Sequence, residues 1–167
     1  MTPLLLGIGL LPLAALLQSS VLPQLPFPAL RPDLMLVIVL AWNLARSRTD
    51  GLLWAFAGGL MLDTFSAGPF GALLLALFVV CLAANFIGTP LWDANPLLPL
   101  LGTVAGVALY HAIYFGVLQL WGWQLDWRSA ASSVVLPAVF LDTTLMLLAY
   151  PLARRIARSI AAPQVSL

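Results

Sequence analysis

The chain has 167 residues, 62% of them hydrophobic and 8% charged, with a mean hydropathy of +1.04 and a formal net charge of +1. Soluble domains carry roughly 25% charged residues, so seven basic and six acidic side chains cannot solvate a globule of this size, and lipid must be the solvent for most of its surface. The near-neutral balance argues against nucleic acid or an acidic substrate as partner. A lone Cys81 excludes a disulfide framework and reads as small lipid- or bundle-facing filler.

At about 20 apolar residues per span, the length allows five to seven helices, and the punctuation predicts an all-α membrane protein of six, forming one domain over residues 1–167. Helix 1 is expected over Pro3–Leu22. Met1-Thr2-Pro3 lacks the basic start of a cleavable signal peptide, so this run reads as a retained helix. Pro23–Pro32 is too proline-rich to be helical. Helix 2 follows over Asp33–Arg46, with Asp33 expected to cap its free backbone N–H groups. Arg46–Asp50 reads as a polar loop, and helix 3 covers Gly51–Phe65. After the tight turn Ser66–Pro69, helix 4 covers Phe70–Gly88. Pro90–Pro96 breaks the chain before helix 5, Leu97–Trp121. Gly122–Arg128 reads as an interfacial loop, and helix 6 covers Ser129–Ala153 ahead of the basic tail Arg154–Arg158.

Six spans put both termini on one side. That side carries Arg46, Arg48, Arg154, Arg155 and Arg158 against Arg31 and Arg128 on the other, so the bias predicts cytoplasmic termini. Trp42, Trp54 and Trp92 fall at inner helix ends and Trp121, Trp123 and Trp127 at an outer end, where indole rings settle at the interface.

Ionisable groups inside a span are functional candidates because lipid makes them costly. There are three: Asp63, His111 and Asp142. Asp63, near the outer end of helix 3, is expected to pair with Arg31. His111 and Asp142 differ in depth by about three residues, roughly 4–5 Å. They are expected to face each other or a shared polar interior with Tyr110, Tyr114, Thr143 or Thr144. A proton or cation pathway is the sharper reading of the same pair. One histidine, one cysteine and no lysine leave little material for an acid–base pair or an activated nucleophile. Ser66, Ser132 and Ser133 are expected near the outer surface, away from His111. No metal-ligand spacing and no cofactor motif is present, so the expectation is a protein without catalytic residues, metal or cofactor. Gly102 and Gly106 form a G-x-x-x-G face on helix 5, and Gly58-Gly59 a small-residue step on helix 3. Both suit close helix packing, within the bundle or against a partner.

From Arg31 onward the motifs resemble the rod-shape-determining membrane protein MreD family. Arg31-Pro32-Asp33 followed by apolar residues resembles its R-P-(D/N) signature. The run from Gly58-Gly59 through Asp63 and Ser66, then Pro69-Phe70-Gly71, resembles its G-x-x-x-D-x-x-S stretch. Asp142 falls where the family often carries Asn. The resemblance implies a non-enzymatic scaffold of the bacterial cell-elongation complex in the inner membrane. It implies an MreC-like bitopic partner and, through it, an influence on a RodA-type glycosyltransferase and a transpeptidase during peptidoglycan synthesis. A second copy of the chain is a further expected partner. It also implies a fold similar to the S components of energy-coupling-factor transporters. That likeness supplies the rival reading, a vitamin-type transporter subunit, and fold alone does not transfer function.

Overall fold

The computed structural model describes residues 2–24, 26, 31–46, 48–87 and 97–160. Among them are six helices and no strand. Helix α1 is Thr2–Leu16, prolonged by a π turn Leu17–Val21 and a 3-10 turn Leu22–Gln24. Then come α2 (Leu34–Ala45), α3 (Arg48–Phe65), α4 (Ala72–Ile87) and α5 (Leu98–Leu120). Last is α6, Trp127–Ile160, which contains a π turn at Ala131–Val135. The expected break at Pro90–Pro96, with Trp92, lies outside the described residues, as does much of the Pro23–Pro32 loop.

Two helices reach beyond their expected bounds. Of the stretch Arg46–Asp50, read as a loop, Arg48–Asp50 already form the first turn of α3. Asp50 sits in the first turn, where the helix dipole favours a carboxylate, and its Oδ2 accepts from Arg46 Nε at 2.7 Å. The basic tail continues α6 to Ile160, seven residues past the expected end. At its other end, Asp126 caps α6 by accepting from Arg128 N and Ser129 Oγ. These bonds, that of Ser129 first, hold its carboxyl below the usual range. The cap is therefore in force at neutral pH and is lost only as pH falls through that lowered value.

Among the described residues, three segments are long and apolar enough to cross a membrane: Gly7–Gln24, Leu98–Leu120 and Trp127–Ile160. Their outward surface is apolar, with Leu120, Leu136, Phe140 and Leu148 all largely exposed. Helix α2 has 12 residues and α4 has 16. At ~1.5 Å per residue α2 rises only about 18 Å, well short of the ~30 Å hydrocarbon core.

Helix α2 is nonetheless the centre of the molecule. It is apolar on all sides, as a helix without a solvent face must be, and Met35–Val37 and Val39–Leu44 are buried. It touches each of the other five helices. Around it the chain runs as an arc in which α1 packs on α3, α3 on α4, α4 on α5 and α5 on α6. At the C-terminal end of α2, Trp42 stacks on Trp54 of α3 with centroids 4.4 Å apart. Both rings are 3% exposed, which corrects the expectation of interfacial anchors: Gly7 lets α1 close over Trp54, so these indoles are core. Trp121, Trp123 and Trp127 are exposed at the opposite end. Cys81 is fully buried, and its carbonyl accepts from Asn43 Nδ2 at 3.2 Å, tying α2 to α4.

Candidate functional site

The glycine–aspartate motif of α3 builds the α3–α4 corner. A Cβ on Gly59 would lie 2.5 Å from Leu74 Cα, and one on Gly58 would lie 2.8 Å from Met35 Sδ. The two glycines therefore let α4 and α2 respectively close on α3. Gly71 stands at the start of α4 with φ +92°, a conformation suited to glycine, and has no side chain with which to cap the helix. Asp63 supplies the cap from the neighbouring helix, accepting from Leu73 N at 3.1 Å and Leu74 N at 3.0 Å. This corrects the expected Arg31–Asp63 pair. The carboxylate is met by two helix N–H groups and the positive end of the α4 dipole, while Arg31 Nη2 donates to the Pro23 carbonyl at 2.9 Å. Asp63→Asn should cost about 1 kcal/mol, since the amide oxygen keeps one bond, and Asp63→Leu about 2–3 kcal/mol, since both N–H groups lose their acceptor. Unfolding in mixed micelles checks the order, and equal losses would count against the cap.

His111 and Asp142 meet through a third residue. Asp33 occupies the cap position of α2 without capping it by its own side chain, which corrects the sequence reading. Its backbone N–H donates to Asp142 Oδ1 at 2.9 Å. Its carboxylate accepts from Gln18 Nε2 at 2.9 Å and lies 3.3 Å from His111 Nε2. Gln18 Oε1 then takes the next free donor of α2, Met35 N, at 2.8 Å. The head of the short central helix is thus held by side chains from α1, α5 and α6, which replace the water it would meet if it reached the interface.

His111 Nδ1 lies 2.9 Å from the Val107 carbonyl. A carbonyl only accepts, so Nδ1 carries the ring proton in that bond. One further proton, on Nε2 or on the carboxyl, makes the Nε2–Asp33 approach attractive. The arrangement is not a nucleophile–base pair. His111 has spent both nitrogens, and the Ser133 hydroxyl donates to the Ser129 carbonyl at 2.5 Å rather than to a base.

Two distortions mark this place. The π turns Leu17–Val21 and Ala131–Val135 each precede a proline, Pro23 and Pro137, whose ring clashes with the carbonyl four residues back. Gln18 and Ser133 stand on these turns. Between the head of α2, α5 and α6 is a cleft of about 390 Å³ lined by Arg31, Asp33, His111, Ser133, Val134, Pro137 and Ala138. Ser133 and His111, expected far apart, share it, because the polar centre lies at the head of the short α2.

Gly106 faces Leu40 of α2 and Val80 of α4, so like Gly58 and Gly59 it serves packing within the bundle. Gly102 borders a small apolar groove between α4 and α5 with Ala83, Ala84, Ile87 and Ala105. No group of three metal-ligating side chains occurs among the described residues. Gln18 escaped the sequence reading, although a lone amide in an otherwise apolar first helix was a visible signal.

Fold and site together define an all-helical integral membrane protein knit around a buried polar cluster. The family model for the rod shape-determining protein MreD matches residues 1–160. The chain belongs to that family, and its role lies in rod shape determination. No solved structure matches it.

Proposed function

We propose that the chain is a non-enzymatic scaffold of the cell-elongation complex in the bacterial inner membrane, binding an MreC-like bitopic protein. Through that partner it supports a RodA-type glycosyltransferase and a transpeptidase in lateral peptidoglycan synthesis. Membership of the MreD family over residues 1–160 carries this reading. The architecture is compatible with it: the polar groups of the cluster are used to hold helices together, and the outer faces are apolar. Depletion in the native host should turn rods into spheres and disperse new wall insertion, with rescue by the wild-type chain. Rods that persist after complete depletion would overturn the reading.

All six helices are proposed to cross the bilayer, α2 by sinking its head beneath the outer interface, with both termini cytoplasmic. Reporter fusions after Arg48 and Arg158 should report cytoplasm, and one after Phe27 the outside. Identical reports after Phe27 and Arg48 would refute the six-span topology.

The partner's helix is proposed to lie along the α4–α5 groove at Gly102. Helix association in lipid relies on close packing at small residues, and Gly58, Gly59 and Gly106 are already used internally. Gly102→Leu should cut co-purification of the bitopic partner by about tenfold, the equivalent of 1.4 kcal/mol, without changing the melting of the chain alone. Undiminished co-purification would move the interface elsewhere. The transporter reading has one structural observation in its favour, the cleft beside Asp33. A vitamin bound to the purified chain, and lost on filling that cleft, would support it instead.

A further inference from the structure

The start of α6, Trp127–Pro137, contains no buried residue, and Val134 and Leu136 are 43% and 66% exposed. The rest of α6 is anchored, with Ala138, Asp142, Met146 and Tyr150 buried one turn apart along one face. Between the two parts the backbone is weakened. Leu136 N bonds five residues back, to the Ala131 carbonyl, and Pro137 has no N–H to give the Ser133 carbonyl four residues back. Ser132 and Ser133 turn their hydroxyls onto the carbonyls of Arg128 and Ser129, a pattern that bends helices. At the far end of this arm, Trp127 Nε1 donates to Gln119 Oε1 at 2.8 Å, and the Trp127 ring meets Phe115 of α5 edge-on. Trp123–Asp126, without regular secondary structure, join the arm to α5. The cleft of about 390 Å³ has Ser133 and Val134 of the arm in its lining, together with Arg31, Asp33 and His111.

We propose that the arm Trp127–Val135 is a hinged lid over this cleft, turning at the π turn and Pro137 and held open by the Trp127–Gln119 bond. Prolines and π turns are where helices change direction. A turn that passes between π and α bonding re-aims the residues before it by about 100°, the arc of one residue. Movement of the arm uncovers no core, since it contributes no buried side chain. Closing covers Val134 and shields the side chains of Asp33 and His111, which are 19% and 7% exposed. The lid governs access to the polar cluster whether or not the chain holds a bitopic partner.

Spin labels at Arg128→Cys, in the arm, and Ser20→Cys, at the end of α1, read the movement by electron–electron distance measurement on the full-length protein in nanodiscs. Cys81 is buried and takes no label. Labels at Leu148→Cys and Ser20→Cys, with the first beyond the hinge, give the reference, one narrow distribution. Trp127→Phe keeps a ring against Phe115 but has no N–H to give Gln119. It should raise the ratio of closed to open arm by about fivefold, the worth of one exposed hydrogen bond, and leave the reference pair unmoved. Adding Pro137→Ala restores the missing backbone donor and should return the arm pair to one narrow distribution. Both positions lie outside the core, and melting checks that each variant is folded. The proposal is overturned if the arm pair gives the same distribution with and without Trp127→Phe, or if the shift persists unchanged when Pro137→Ala is added.

Discussion

Gly59→Leu should leave the chain unable to fold, with a loss of about 3 kcal/mol or more. A Cβ at this position would sit 2.5 Å from the Leu74 Cα, so the obstacle is backbone and no rotamer change relieves it. Overpacking that forces backbone movement costs typically 1–3 kcal/mol, and here it also pulls the α4 N-terminus away from Asp63, adding the loss of two hydrogen bonds. Gly102→Leu, at the edge of an apolar groove, is the control and should fold. Expression in membranes followed by size-exclusion chromatography distinguishes them. A monodisperse Gly59→Leu protein with wild-type melting would mean that the α3–α4 approach is not as close as described.

Asp33→Leu should be the most damaging substitution at the polar cluster. It strands the Gln18 amide and the His111 Nε2 together, and breaking a buried pair from one side costs about 3–5 kcal/mol. Contacts inside bilayers run lower, so about 2–4 kcal/mol is expected. Asp33→Asn should cost under about 1 kcal/mol, because its amide serves both neighbours. Asp142→Asn should be similarly mild in folding and in shape rescue, since an amide oxygen still accepts from Asp33 N. Unfolding transitions of the three variants in one detergent check this ranking. Loss of function in Asp142→Asn with folding intact would mean that the charge itself is essential, as a carrier requires.

Much of the helical order was readable because proline and polar clusters punctuate long apolar runs, as at Ser66–Pro69 before α4. Arg48–Asp50 was assigned to a loop because polarity alone does not distinguish a loop from a helix start stabilised by Asp50 and its bond to Arg46. The partners of Asp63 and Asp33 were not legible. A carboxylate at a helix end can cap its own helix, cap a neighbour or bind a cation, and only the packing decides. Asp63 caps a neighbour because Gly71 has no side chain to offer. Asp33 caps nothing with its carboxylate because Gln18 and Asp142 reach the head of α2 first. The family motif was visible as a pattern, but its physical content, two glycines admitting α2 and α4 and one aspartate capping α4, needed the assembled bundle.

The scaffold role proposed for the chain requires that it hold another membrane protein. The most direct measurement is affinity capture of the tagged chain, at native abundance, from host membranes in mild detergent. A single-span, MreC-like protein should be recovered in near-stoichiometric amount, and the recovery should fall with Gly102→Leu. Capture of a folded, shape-supporting chain with no bitopic protein attached would contradict the account.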